Sequence, residues 1–390
     1  MKFNKLIQLP PRAGGMLYIA FILMLSLFGF SHGAHAVVNC GFSSTYPPNS
    51  LTATVNVSAY VGNELPVGST IYRATLIPLG KYFGVTCNGS YSLPVQLSVT
   101  NKPSGPSFPF SGTNYGSGPV FPTNVSGVGF AIWSAGQLSS DTNPITLVTM
   151  NNNAVSANYD FSLIKTGPIA SGSVVNASSF PTVVVMVPAT AGYTGLPLIL
   201  QTVNITGSIN FTTSTCTTPD VNVNMGTYDI PTNFHQVGSV TPWVDASITL
   251  QDCPMFSGRF GDQGTAQAVP GGGGIAAGTA RKPSLLTVSL TPMSSIVDTA
   301  NGVIAVDSGQ GPDLVARGVG LQLGYTPTDM NASATAPTTI WKPGISWDMQ
   351  PANDGRNSFK IPLAARYYQT NSHVTAGPAN TKVVFNIDYK

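Results

Sequence analysis

Charge is the scarcest commodity in this sequence: Asp, Glu, Lys and Arg make up 8% of 390 residues, with 17 basic against 15 acidic side chains. Binding to phosphate backbones or anionic lipid needs clustered Lys and Arg. No such cluster exists, which argues against nucleic acid as a partner. Cysteine and histidine are equally sparse at 4 each. No two cysteines fall at CxxC spacing, which removes the metal-ribbon and thiol-redox readings, and neither a GxSxG elbow nor an HExxH motif occurs. Long apolar runs are missing as well. The one extended run, 16–30, is short of the roughly 20 residues that cross a bilayer, so the chain is not expected to be membrane-embedded.

That run instead has the form of an export signal. Lys2, Lys5 and Arg12 precede it and Ala34-His35-Ala36 follows as a small-x-small cleavage site. Residues 1–36 are therefore read as a signal peptide, with the mature chain beginning at Val37. Without them, 14 basic residues face 15 acidic ones, so the apparent basicity belongs to the signal. The mature chain keeps two histidines, His235 and His373, which are not spaced as metal ligands on one strand or helix. No residue pattern assigns a catalytic group, a metal or a cofactor. Asp141, Asp160, Asp220 and Asp229 are read as solvated turn acids.

What fills the chain is Ser, Thr, Asn and Gly interleaved with Val, Ile and Phe, with 31 prolines in the full sequence. That is the composition of an all-β chain with many turns, long enough for two sandwich domains. Period-two alternation predicts strands at 51–59, 69–77, 95–99, 128–133, 145–150, 182–187 and 198–211. Residues 102–125 read as a loop, and Trp133, inside an apolar strand, reads as core. Seven or more short strands at this spacing predict a jelly-roll or Greek-key sandwich over 37–211. A short polar linker, 212–215, leads to a second domain, 216–390, with strands predicted at 220–225, 243–250, 284–290, 318–324, 358–366 and 381–390. The run Gly271–Gly274 has no helix after it and reads as a flexible loop, not a phosphate cradle. The cysteines fall as one close pair in each half. Pairing Cys40 with Cys87 and Cys216 with Cys253 closes loops of about 40 to 50 residues, worth roughly 4 kcal/mol each in the chain-entropy model. Crossed pairings would tie the halves together and fit the repeated spacing less well.

The last stretch, 374–390, organises the rest. Val383, Phe385, Ile387 and Tyr389 alternate with Lys382, Asn386, Asp388 and Lys390. Ile361, Leu363, Ala365 and Tyr367 alternate in the same way upstream of the break at Gly377-Pro378. The two runs are expected to form a terminal β-hairpin. The penultimate Tyr389, Gly377 fourteen residues from the end, the run IPLAARYYQT over 361–370 and the strand GVGLQL over 318–323 resemble the C-terminal signature of chaperone–usher pilus subunits. That resemblance implies an incomplete immunoglobulin-like pilin domain lacking its last strand. Its groove, bordered by Val383, Phe385, Ile387, Tyr389 and Lys390 with Gly377 at the bend, would accept a strand from a periplasmic pilus chaperone and then, at an outer-membrane usher, from an adjacent pilus subunit.

A shaft subunit also lends an alternating arm ahead of its first cysteine. Here only Val37, Val38 and Asn39 precede Cys40, so the expected place is the fibre's distal end, on the cell surface. In layout the mature chain resembles the two-domain type 1 fimbrial tip adhesins, whose first domain is a lectin. The resemblance implies attachment to a host glycan or protein receptor through Val37, the loop after Cys87 (Asn88, Ser90, Tyr91) and Tyr193. No acid stands in that loop, which makes mannose doubtful. A structural minor tip subunit with a degenerate receptor domain is the alternative.

Overall fold

A computed structural model of the chain describes residues 37–77, 80–112, 116–152, 154–261, 267–270, 281–307 and 315–390. The expected signal peptide and the Gly271–Gly274 run lie outside the described residues. Among the described residues the chain is all-β, apart from one turn of α-helix at Ile230–Asn233 and one 3₁₀ turn at Ala177–Ser179.

The first half is built on the long strand Asn49–Tyr60, in which Leu51, Ala53, Val55, Val57 and Ala59 are buried while Thr52, Thr54, Asn56 and Ser58 are exposed. With a side-chain period of two, that alternation fixes which face meets the core. The strand runs parallel to Leu198–Thr212, in register from Gln201↔Asn49 to Thr212↔Tyr60. Leu198–Thr212 in turn pairs antiparallel with Thr182–Val187, which continues to Leu93–Thr100 and Ile145–Met150. The facing sheet is centred on Tyr159–Lys165, between Thr70–Ile77 and Val128–Ser134. Phe130, Phe161 and Phe180 stack between the sheets. Trp133 is buried, and its indole N–H donates to Ser162 Oγ at 3.0 Å. The region 102–125, expected to be a loop, contains the hairpin Phe108–Gly112/Gly116–Pro122. Its Gly-, Pro- and Ser-rich strands carry too little alternation to be read as such.

In the second half Leu286–Pro292 lies between Ser346–Met349 and Val383–Tyr389. A separate sheet carries Leu363–Gln369 next to Val319–Tyr325 and Val303–Ala305. The expected terminal hairpin is therefore corrected: the two alternating runs lie in different sheets, and the break at Gly377-Pro378 carries the chain across between them. The single strand expected over 358–366 is divided at Pro362 into Phe359–Ile361 and Leu363–Gln369, which pair with different neighbours. Proline has no N–H for the ladder. Trp341 is fully enclosed in this core. Trp341→Ala is expected to cost about 3–5 kcal/mol, read as a lowered urea midpoint at unchanged slope.

Both predicted disulfides are formed, Cys40–Cys87 and Cys216–Cys253. The halves also exchange aromatic rings. Phe260 packs in the first core, at right angles to Tyr72 and 6.1 Å from it, while Tyr60 packs in the second, 5.1 Å from Phe256. Arg281 lies over Phe260 at 4.8 Å and donates to Ser58 O at 2.7 Å. The short strand Gln267–Pro270 adds in parallel to Thr70–Ile77.

Candidate functional site

Among the described residues, Val383–Tyr389 is bonded to a neighbouring strand on one side only. In an antiparallel pair, alternate residues turn both backbone groups toward the partner. Lys390 exchanges both bonds with Leu285, and Met293 donates to Lys382 O. The even-numbered positions therefore face Leu286–Pro292, and the odd ones, 383, 385, 387 and 389, turn their N–H and C=O outward. Among the described residues, Val383, Phe385 and Ile387 have no backbone partner on that side. Their side chains are half-buried and pack on the second core.

Across from this edge lies the segment 218–228, expected to contain a strand at 220–225. Its burial does alternate: Val221, Val223 and Met225 are half-buried on the core, with Asn222 and Asn224 exposed. Yet it belongs to no ladder among the described residues. Between the two edges is a groove of about 960 Å³, floored by Ile248, Leu290, Leu321, Leu323 and Ala365 and walled by Val221, Val223, Val383 and Phe385. Gly377 lies on its rim. Exposed backbone on two strand-like walls above an apolar floor can take up one more extended segment, whose alternate side chains would fill the floor and whose backbone would complete the ladders.

Tyr389 ends the same strand, beyond the residues that line the groove. This side chain is buried, its hydroxyl accepts the Cys216 N–H at 3.3 Å, and its ring stacks 6.3 Å from Phe256. Burial holds the phenol above its usual pKa, partly offset by the bond from Cys216. Lys390 continues the ladder through its bonds to Leu285.

The predicted receptor-contact residues are also brought together, at the opposite end of the first half. Val38–Phe42 pairs with Tyr193–Thr194 on one side and Val85–Cys87 on the other. Asn88 Oδ1 accepts the Asn39 N–H at 2.9 Å, and Tyr193 Oη accepts the Ser92 N–H at 3.2 Å. Tyr91 is 8% exposed and donates its hydroxyl to Val85 O at 2.6 Å. Two tyrosines expected to present themselves outward thus spend their hydroxyls on the fold, and Val37, Asn88 and Ser90 remain exposed. Sequence reasoning missed Phe42, Tyr46 and Tyr82, which are 47%, 41% and 52% exposed. Tyr46 and Tyr82 lie 6.3 Å apart. Their one signal was the Cys40–Cys87 bridge, which sets 43–48 beside 81–84. Asn49, whose Nδ2 donates to Tyr82 O at 3.0 Å, begins the long strand that ends at Tyr60. At about 3.3 Å per residue, this aromatic end is roughly 36 Å from the junction of the halves.

Among the described residues no group of three or more His, Cys, Asp or Glu side chains is placed to hold a metal ion, and no helix is long and apolar enough to cross a membrane. Asp160 pairs with Arg73 at 3.0 Å and Asp141 with Lys102 at 2.8 Å, while Asp229 Oδ2 accepts the Thr232 hydroxyl.

Residues 203–390 match the family model described as "Fimbrial protein". No curated protein matches the chain. Among solved structures it is similar to the CupB6 tip adhesin from Pseudomonas aeruginosa, at 14% identity over 90% of this chain and 94% of that one, with a TM-score of 0.34. It is also similar to the receptor binding domain of the plasmid-born adhesin MrkD1P of Klebsiella pneumoniae, at 17% identity over 46% and 98%, TM-score 0.27. A third similarity is to the CsuC–CsuE chaperone–tip adhesion subunit pre-assembly complex of Acinetobacter baumannii, at 13% identity over 90% and 99%, TM-score 0.24.

Proposed function

We propose that the chain is a pilus adhesin of the fimbrial protein family, whose model matches residues 203–390, held in its fibre by a strand donated into the groove beside Val383–Tyr389. The observation that carries this reading is the pair of edges, 383–387 and 218–228, unpaired among the described residues, above one apolar floor. A chaperone strand would occupy the groove in the periplasm, and a neighbouring subunit's strand would replace it at the outer-membrane usher. Residues 37–211 would form the receptor-binding domain, 212–215 the linker and 216–390 the pilin domain. With only Val37–Asn39 ahead of Cys40 in the mature chain, the subunit would accept a strand without lending one and so end the fibre.

The receptor would be a host glycan or glycoprotein. Its proposed contact surface is the end farthest from the groove, where Phe42, Tyr46 and Tyr82 are exposed near Val37, Asn88, Ser90 and Tyr193. Aromatic faces stack on sugar rings or flat protein surfaces, and Asn and Ser supply hydrogen bonds. The hydroxyls of Tyr91 and Tyr193, already used internally, favour the second reading, a structural tip subunit with a degenerate receptor domain. A glycan array and a panel of matrix proteins, probed with the full chain carrying a donor peptide, separate the two. The adhesin reading expects a binder whose affinity falls about tenfold, near 1.4 kcal/mol, in the Tyr46→Ala/Tyr82→Ala double variant. Absence of any binder, or a binder indifferent to that variant and to Asn88→Ala, would favour the structural subunit.

A further inference from the structure

We propose that the first half of the chain supplies the final rung of the open edge, so that a strand entering the groove is halted at Ile387 by the loop 61–65. The inference rests on the strand-accepting reading of the groove. Among the described residues, Tyr389 is the one of the four outward-facing positions whose backbone is met: its N–H donates to Glu64 Oε2 at 3.0 Å, and its carbonyl lies in close steric contact with Gly62. A Cβ at Gly62 would overlap that carbonyl, so only glycine allows the approach. Glu64 thus stands where an incoming strand would place a carbonyl oxygen, and Gly62 stands where it would place its own backbone.

The loop is held in position from the first half. Val61 N–H donates to Thr212 O at 2.9 Å, Leu65 is buried and its N–H donates to Gly62 O at 3.2 Å. Lys165, 6% exposed, places its ammonium 2.9 Å from Asn63 O and 3.5 Å from Gly62 O. Burial lowers the Lys165 pKa, and the Glu64 charge opposes that shift. A buried ammonium persists where acceptors and an opposite charge compensate it. Here its two carbonyls and the nearby carboxylate belong to the loop that meets Tyr389. The stop is therefore part of the first half's own packing, and occupancy of the groove would be felt there directly.

The test uses the full chain, site-resolved amide exchange and two peptides of alternating apolar residues: one long enough to pair with 383–387, the other extended by two residues past Ile387. In the wild type the Tyr389 amide is expected to be protected without peptide, and the extension to add less than about twofold in affinity. In Glu64→Ala, Tyr389 exchange should rise about tenfold, as expected for loss of a hydrogen bond to a charged group, while the extension, still met by the Gly62 backbone, should again add less than about twofold. The amides of Val384, Asn386 and Asp388, bonded to Leu286–Pro292, report that the strand remains folded, and Glu64→Gln, which keeps an acceptor oxygen, should restore protection. Equal Tyr389 exchange in the wild type and Glu64→Ala, or an extension that gains about threefold or more in the wild type, would overturn the stop. If neither peptide binds and the outward amides at 383–387 stay unprotected, the groove reading fails and the stop fails with it, whatever Tyr389 shows.

Discussion

A peptide of alternating apolar residues, added at a hundredfold excess over its Kd, is expected to raise the Tm of the full chain by about 5–10 °C. Linkage gives about 2.7 kcal/mol at that excess, and a unit of 150–250 residues shifts by about 2–4 °C per kcal/mol. The affinity has a concrete source. Filling the floor beside Val221, Val383 and Phe385 with three large side chains removes apolar surface worth roughly 1.5–3 kcal/mol per residue from water, and the backbone groups of Val383, Phe385 and Ile387 gain partners. Against this stands the ordering of the peptide. Phe385→Asp places a charge on the wall and should abolish the shift, while Val384→Asp, on the exposed face of the same strand, should leave it intact. Differential scanning fluorimetry across a peptide titration checks both. A Tm indifferent to peptide would remove the strand-accepting role.

The second large effect concerns Cys216–Cys253. Removing this bridge, as Cys216→Ala/Cys253→Ala, is expected to cost about 2–5 kcal/mol, measured by urea unfolding. Beyond closing a loop, the bridge fixes the start of the groove's second wall. Cys216 N–H donates to the Tyr389 hydroxyl, Thr217 and Gln251 exchange backbone bonds, and 218–228 runs on from there with no ladder of its own. The same variant should therefore weaken peptide binding, whereas Cys40→Ala/Cys87→Ala, at the far end of the first half, should lower stability and leave the peptide Kd unchanged. Equal loss of peptide affinity in both variants would show that the wall does not depend on the bridge.

Much of the frame was legible because it is local. Alternation located Asn49–Tyr60 and Val383–Tyr389, the cysteine spacing gave both bridges, and the fimbrial character read from Gly377, 361–370 and Tyr389 falls within the span matched by the family model. What alternation does not carry is the identity of the neighbour. Nearness in sequence favoured pairing the last two alternating runs, but Gly377-Pro378 carries the chain to the other sheet. At 220–225 the pattern of a strand was present and its ladder was not, because a strand-like face says nothing of whether a partner lies beside it. The contacts of Glu64 with Tyr389 and of Phe260 with Tyr72 join residues remote in sequence, and no local signal marks them.

The parallel pairing of Asn49–Tyr60 with Leu198–Thr212 has a mechanical consequence. If the chain is held at Tyr46 and Tyr82, as proposed, and pulled through the chain leaving Thr212, the load would run along these two strands, not across them. In that shear geometry the rungs from Gln201↔Asn49 to Thr212↔Tyr60 resist together instead of parting one after another. In the proposed role, the half of the molecule that would meet the surface is thereby arranged to stay folded under tension.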